Sequence, residues 1–192
     1  MKKILIFIAI FFSTISTISA EEIKRIFVGD KDAKITIIAF ESLTCSHCAN
    51  FHKEVFPELK KEYLDTGLAK IEFRHFPLDI AAFNASKVSQ CNNDGDSKIL
   101  NSLFANQQKW VKGSSIQEAN ENLKKFLVSE GYNVDFEKCI NDKEIEDFVL
   151  NDRIDAVKKF KISSTPTIII NDKKFEKSLN YKNLKKALEK LI

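Results

Sequence analysis

The chain has 192 residues, and its 30 basic side chains nearly balance 27 acidic ones for a net charge of +3. That length suffices for one domain with a core, or for one domain carrying a large insertion, but would cramp two independent domains. Acids and bases are interspersed without a basic patch, which argues against nucleic acid as a partner. The wealth of Lys, Ile and Asn carries no functional weight.

The first twenty residues, MKKILIFIAIFFSTISTISA, place two lysines before an apolar run from Ile4 to Phe12 and then small and hydroxyl residues up to Ala20. This is the pattern of a cleaved export signal over 1–20, with the mature chain expected to begin at Glu21 and to be soluble. A membrane anchor is the alternative, but the apolar run falls well short of the ~20 residues that span a bilayer. Cys45, the first cysteine, is too far from Ala20 for lipid attachment next to the signal. Loss of Lys2 and Lys3 lowers the net charge from +3 to +1. Four cysteines in an exported chain permit two disulfides.

Residues 34–41, KITIIAFE, are β-branched and aromatic with consecutive apolar positions, the pattern of a strand covered on both faces. The strand runs into ESLTCSHCANFH, residues 41–52, where Cys45 and Cys48 frame Ser46-His47. Cys48, Phe51, Val55, Leu59 and Tyr63 then recur at helical spacing up to Gly67, with Pro57 bending the helix midway. Residues 69–77 alternate as a strand with one wet face. From Asp79 to Phe160 only helical periodicity appears, as in Ile99, Leu103 and Trp110 or Leu123, Phe126 and Leu127, predicting a block of about four helices. Residues 164–176, STPTIIINDKKFE, restore strand character, with Asn171-Asp172 as a hairpin turn. A last helix carries Tyr181, Leu184, Leu188 and Leu191 on one stripe. No repeat, low-complexity tract or linker interrupts this order.

Three features together carry a resemblance: Cys45-Ser46-His47-Cys48 between a strand and a helix, the segment Thr165-Pro166-Thr167 before a later strand, and the helical block between them. The chain resembles the DsbA-like thiol:disulfide oxidoreductases of bacterial envelopes. The resemblance implies an α/β, thioredoxin-like fold made of 21–78 and 161–192, with 79–160 as an inserted helical domain. It also implies a periplasmic enzyme without cofactor or metal, monomeric, that oxidises reduced exported proteins through Cys45 and Cys48. A quinone-linked membrane protein would reoxidise it.

A cysteine at a helix N-terminus faces unpaired N–H groups and the positive end of the helix dipole, which favours thiolate. The dipole contributes ~0.3–1 kcal/mol, up to ~2 in favourable geometry, whereas a fall of three pKa units needs ~4 kcal/mol, so other donors must help Cys45. Within the resemblance that helper is His47, as a hydrogen-bond donor or cation, with the backbone N–H groups of the first turn. A stabilised Cys45 thiolate stabilises the reduced form and makes the disulfide an oxidant; DsbA itself is the standard example of this effect. Cys48 is expected to be the buried partner. The resemblance further implies a cis Thr165–Pro166 bond beside the cysteines, which would keep metals off the sulfurs and leave the Thr165 backbone free to pair with an extended substrate.

Cys91 and Cys139 are expected to form a structural disulfide, whose loop is long enough to contribute ~4 kcal/mol, while the short loop between Cys45 and Cys48 constrains little. Two positions depart from the family pattern. Ser46 stands where proline is most familiar, which leaves the redox potential open. Ala39 stands where thioredoxin-type strands often keep a buried acid, and Glu41, two residues on, is either a substitute proton relay or an exposed rim carboxylate.

Other readings remain at this point. Cys45, Cys48, His52 and His75 offer soft ligands at zinc-like spacing, although His52 and His75 also suit a helix flank and a strand end. Cys45 and Cys48 would form a passive staple in a binding module. Within the enzymes, an isomerase or reductase is the alternative to an oxidase, since isomerase-like members also use a threonine before the proline, as Thr165 is here.

Overall fold

The structure is a computed structural model and describes residues 22–192, so the expected signal over 1–20 and its cleavage site lie outside the described residues. Its centre is a strand that both layers of the protein need. In β2 (Ile35–Glu41), Ile37 and Ala39 enter one core, while Ile38 and Phe40 enter another on the opposite face with Phe76, Ala156, Ile162 and Ile169. Burying such a side chain contributes about 1.5–3 kcal/mol, so an unbroken apolar strand is stable only with both faces covered.

Around β2 lie β1 (Phe27–Gly29), β3 (Ala69–His75), β4 (Thr167–Ile170) and β5 (Lys173–Lys174), in the order β1-β3-β2-β4-β5. Only β2 and β3 run parallel, with Ile37 opposite Ile71. The turn between β4 and β5 is made by Asn171 and Asp172, both with positive φ, as the sequence indicated. The short β1 escaped the sequence reading. It pairs antiparallel with β3 and ends at Gly29, where φ is +106° and an added Cβ would stand 2.5 Å from the Ala69 carbonyl oxygen.

The helix after the cysteines is not one bent rod. It comprises α1 (Ser46–Glu54), α2 (Phe56–Leu59) and a π-helical turn, Lys60–Leu64, before Gly67. The break is at Val55, because Pro57 has no N–H to continue the ladder. The described part of 79–160 holds six helices rather than about four: α3 (Ile80–Gln90), α4 (Lys98–Ala105), α5 (Gln107–Trp110), α6 (Ile116–Ser129), α7 (Phe136–Asn141) and α8 (Lys143–Phe160). Short four- and six-residue helices leave too few periods to read from sequence. The wet face expected of β3 is half-covered, with Lys70, Glu72 and Arg74 of intermediate exposure. In α9 (Tyr181–Leu188), Leu184 and Leu188 are buried as expected, but Leu191 lies beyond the helix and is exposed.

The helical segment is keyed to the sheet by polar contacts. Asp152 of α8, wholly buried, accepts from the His75 backbone N–H at 3.1 Å and pairs with Arg25 at 2.5 Å. Arg153 donates to the Pro77 carbonyl. Cys91 and Cys139 form a disulfide that joins the end of α3 to α7.

Candidate active site

The end of β2, the start of α1 and the loop before β4 converge on Cys45. Its backbone is extended, with φ −78° and ψ 119°, and its carbonyl accepts from the N–H groups of Cys48 and Ala49 at 3.1 Å each. Cys45 is therefore the N-cap of α1, and its side chain faces the free N–H groups of the first turn. Both sulfurs are free thiols; Cys45 is half-buried and Cys48 fully buried.

Across from them the Thr165–Pro166 bond is cis. As a thiol, Cys45 Sγ donates to the Thr165 carbonyl oxygen at 3.5 Å. As a thiolate it is stabilised above all by the Cys48 thiol. Burial opposes this, and the Thr165 side chain and the backbone N–H groups of Cys48 and His47 add to it, so that Cys45 is lowered from 9.0 to about 5. The Thr165 hydroxyl, buried and otherwise unpartnered, suits that role. Cys48 moves the other way: burial first, then its bond to Cys45 and the Glu41 charge, push its thiol far up. One thiol ionises readily while its neighbour holds its proton.

Ser46 and His47 are exposed. Among the described residues no hydrogen bond joins the His47 ring to Cys45, and the histidine assists through its backbone N–H instead. The side-chain donors to the Cys45 thiolate are Cys48 and Thr165, the latter in a loop 120 residues away in sequence.

Glu41 is no rim carboxylate. It is buried, and its Oε2 lies 2.9 Å from His52 Nε2, whose side chain is equally hidden. Burial raises the Glu41 pKa against the opposing pull of His52. His75 is also buried, and the desolvation that depresses its pKa keeps the ring neutral beside Asp152. Among the described residues no three His, Cys, Asp or Glu side chains are grouped to hold a metal, so the zinc alternative on Cys45, Cys48, His52 and His75 finds no ligand set.

Two contacts were missed by the sequence reading. Gln107 of α5 donates from Nε2 to the carbonyls of Leu43 at 2.8 Å and Cys45 at 3.0 Å, and Thr44 donates to Asp79, the N-cap of α3, at 2.7 Å. The helical segment thus grips the loop that carries the first cysteine. Nothing local marks Gln107, but Cys48 and His52 are four residues apart on one helix, which places them on one face.

The thioredoxin family profile matches residues 21–190. The crystal structure of Wolbachia pipientis α-DsbA1 is 31% identical, covering 87% of this chain and 90% of its own, with a TM-score of 0.76. This chain is a DsbA-like member of the thioredoxin family. Oxidised BdbD from Bacillus subtilis superposes with a TM-score of 0.70 at 25% identity, covering 86% of this chain and 91% of that one. The curated disulfide bond formation protein D of Bacillus subtilis is 27% identical over 85% of this chain and 75% of its own length. A Rickettsia bellii chain named as a protein-disulfide oxidoreductase is 28% identical over 86% of this chain, which spans only 63% of that relative. Among the described residues no helix is long and apolar enough to cross a membrane.

Proposed function

We propose that this DsbA-like chain is a thiol:disulfide oxidoreductase that introduces disulfides into exported proteins in the periplasm, and that Cys45 and Cys48 are its redox couple. The observation that carries the reading is the opposed state of the two thiols at the start of α1, Cys45 lowered to about 5 at the N-cap and Cys48 buried and pushed up.

A substrate thiolate attacks Cys45 Sγ of the Cys45–Cys48 disulfide; that S–S bond breaks, its electron pair leaves on Cys48, and a Cys45–substrate disulfide forms. The second substrate thiolate then attacks its own sulfur in this mixed disulfide and displaces Cys45. Cys45 departs easily because a low-pKa thiol is a good leaving group. The substrate has lost two electrons and the enzyme has gained them. Pro166 and the Thr165 backbone flank Cys45, where an extended substrate segment would pair by strand addition. A membrane protein of the quinone-linked type supplies the oxidant that resets the couple. Residues 79–160 act as an inserted helical domain on a thioredoxin-like body of 21–78 and 161–192, and Cys91–Cys139 serves stability rather than turnover.

The test is equilibration with glutathione buffers together with oxidation of a reduced peptide bearing two cysteines. The expected result is stoichiometric peptide oxidation and a reduction potential well above the roughly −270 mV of thioredoxin. A potential as low as that reductant's makes the chain a reductase.

A further inference from the structure

Between α1 and the helices α4 and α5 runs a cleft of about 760 Å³ that reaches Ser46, the residue next to Cys45. No residue of the Thr165–Pro166 loop lines it, so it lies apart from the place where Thr165 would pair with an extended chain. Its volume falls within the range of ligand clefts, roughly 300–1,000 Å³.

The walls are chemically one-sided. Asn50 and Gln108 bring carboxamides, Lys53 of α1 and Lys109 of α5 bring positive charge, and no described carboxylate lines the cleft. Each lysine has an acidic neighbour outside it, Glu54 at 3.4 Å and Glu130 at 3.3 Å, but both lysines are exposed and such pairs give way readily. Asn50 and Gln108 are also exposed, and neither side chain forms a hydrogen bond among the described residues. A carboxamide offers both a donor and an acceptor, as a peptide group does, so these two are free to meet a polypeptide backbone.

We propose that the cleft is a second subsite for the polypeptide that Cys45 engages, and that it selects substrates with Asp or Glu three or four residues from the reacting cysteine. The inference rests on the oxidoreductase reading above. Lys53 stands eight residues beyond Cys45. At a helical rise of ~1.5 Å per residue that is about 12 Å along α1, the length of three to four residues of extended chain at ~3.3 Å each. With its sulfur joined to Cys45 Sγ, the substrate pairs with Thr165 on one side of its cysteine. On the other side it passes Ser46, meets Asn50 and Gln108 with its backbone, and brings its carboxylate to Lys53 and Lys109. A lysine or arginine at that place meets two like charges, so the cleft discriminates by repulsion as well as by attraction.

The experiment uses reduced peptides with two cysteines that differ only in carrying Glu, Gln or Lys at one of the six positions outside one cysteine. The rate at which the disulfide form of the protein oxidises each peptide is divided by the peptide's rate with hydroxyethyl disulfide. That disulfide is small and neutral, so the ratio removes the effect of the charge on the peptide's own thiol. At the third and fourth positions Glu should exceed Gln by about fivefold, the factor that a good exposed ion pair supplies, and Lys should fall below Gln. The preference should fade in ~1 M salt, where the screening length is ~3 Å. It should vanish in the double variant Lys53→Gln, Lys109→Gln, whose folding near-UV circular dichroism checks. A preference that is absent, equal at all six positions, or kept by the folded double variant overturns the subsite alone. If no peptide is oxidised at all, the oxidoreductase reading fails and takes the subsite with it.

Discussion

Reduction of the Cys45–Cys48 disulfide takes up two electrons and either one proton or two, and the structure says where the count changes. Cys45 holds a proton only below about pH 5, while Cys48 keeps its own throughout the working range. For a two-electron couple a tenfold change in equilibrium constant is ~30 mV, so the potential should fall by about 60 mV per pH unit below the break and by about 30 mV above it. Because the folded thiol titrates below its ordinary 9.0, the stabilisation of the reduced form is fully present above pH 9 and is lost as pH falls through about 5. Thr165→Val removes one donor while preserving shape. A hydrogen bond to a charged sulfur contributes ~1.5–3 kcal/mol, and since Cys45 is half open to water we take the lower end, about one pH unit. The break should move up to about 6 and the potential at pH 7 should drop by about 30 mV. Glutathione equilibria at intervals from pH 4 to 8, with thiolate absorbance in parallel, supply both numbers. A single slope near 60 mV across that range would falsify the thiolate argument, and an unmoved break in folded Thr165→Val would remove Thr165 from it.

Cys48→Ala should accumulate mixed disulfides through Cys45, seen on non-reducing gels, and should raise the Cys45 titration because its largest single donor is gone; capture by Cys45→Ala instead reverses the assignment. His47→Leu keeps the backbone N–H that assists Cys45 and should shift the potential by less than Thr165→Val does, which the same glutathione equilibria report. With a sequence separation of 48 residues, replacing Cys91 and Cys139 by alanine should cost about 4 kcal/mol. At ~2–4 °C per kcal/mol for a chain of this size, Tm should fall by about 8–16 °C in calorimetry, and an unchanged Tm would mean that the bridge constrains nothing. The reduced protein should gain stability relative to the oxidised form between pH 4 and 8 in urea titrations, the direction set by the lowered Cys45 pKa.

The sheet was legible where burial is two-sided or turn chemistry is local. The run Ile37 to Phe40 announces a covered strand, and Asn171-Asp172 announces a hairpin. Strand β1 was not legible, because three residues ending in glycine show no period and are held by pairing with β3 alone. At the site, Cys45, Cys48 and Thr165-Pro166 stand out in the sequence, and the structure brings them together. Of the partners of Cys45, the first-turn N–H groups were expected but the Cys48 thiol and the Thr165 hydroxyl were not, since their effect depends on which groups face the sulfur. His47 is adjacent in sequence but turns its ring to solvent, while Thr165 and Gln107 arrive from distant segments. Glu41 shows the same limit: a carboxylate at a strand end reads equally as a relay or as an exposed rim group until a helix lays His52 over it.

The segment before β4 has a consequence for how the protein comes into being. Ile37 pairs with Ile170, so the middle of the sheet waits for nearly the whole chain, and pairings of such separation close slowly. Thr165 belongs to this last-arriving stretch. A nascent chain that has emerged only as far as α8 already carries both thiols and the first turn of α1, but not the Thr165 hydroxyl that also holds the charge of Cys45. Until the final thirty or so residues dock, Cys45 lacks one of its donors and stands uncovered on that side, so a ribosome-bound or truncated chain is open to disulfide exchange before its site is complete.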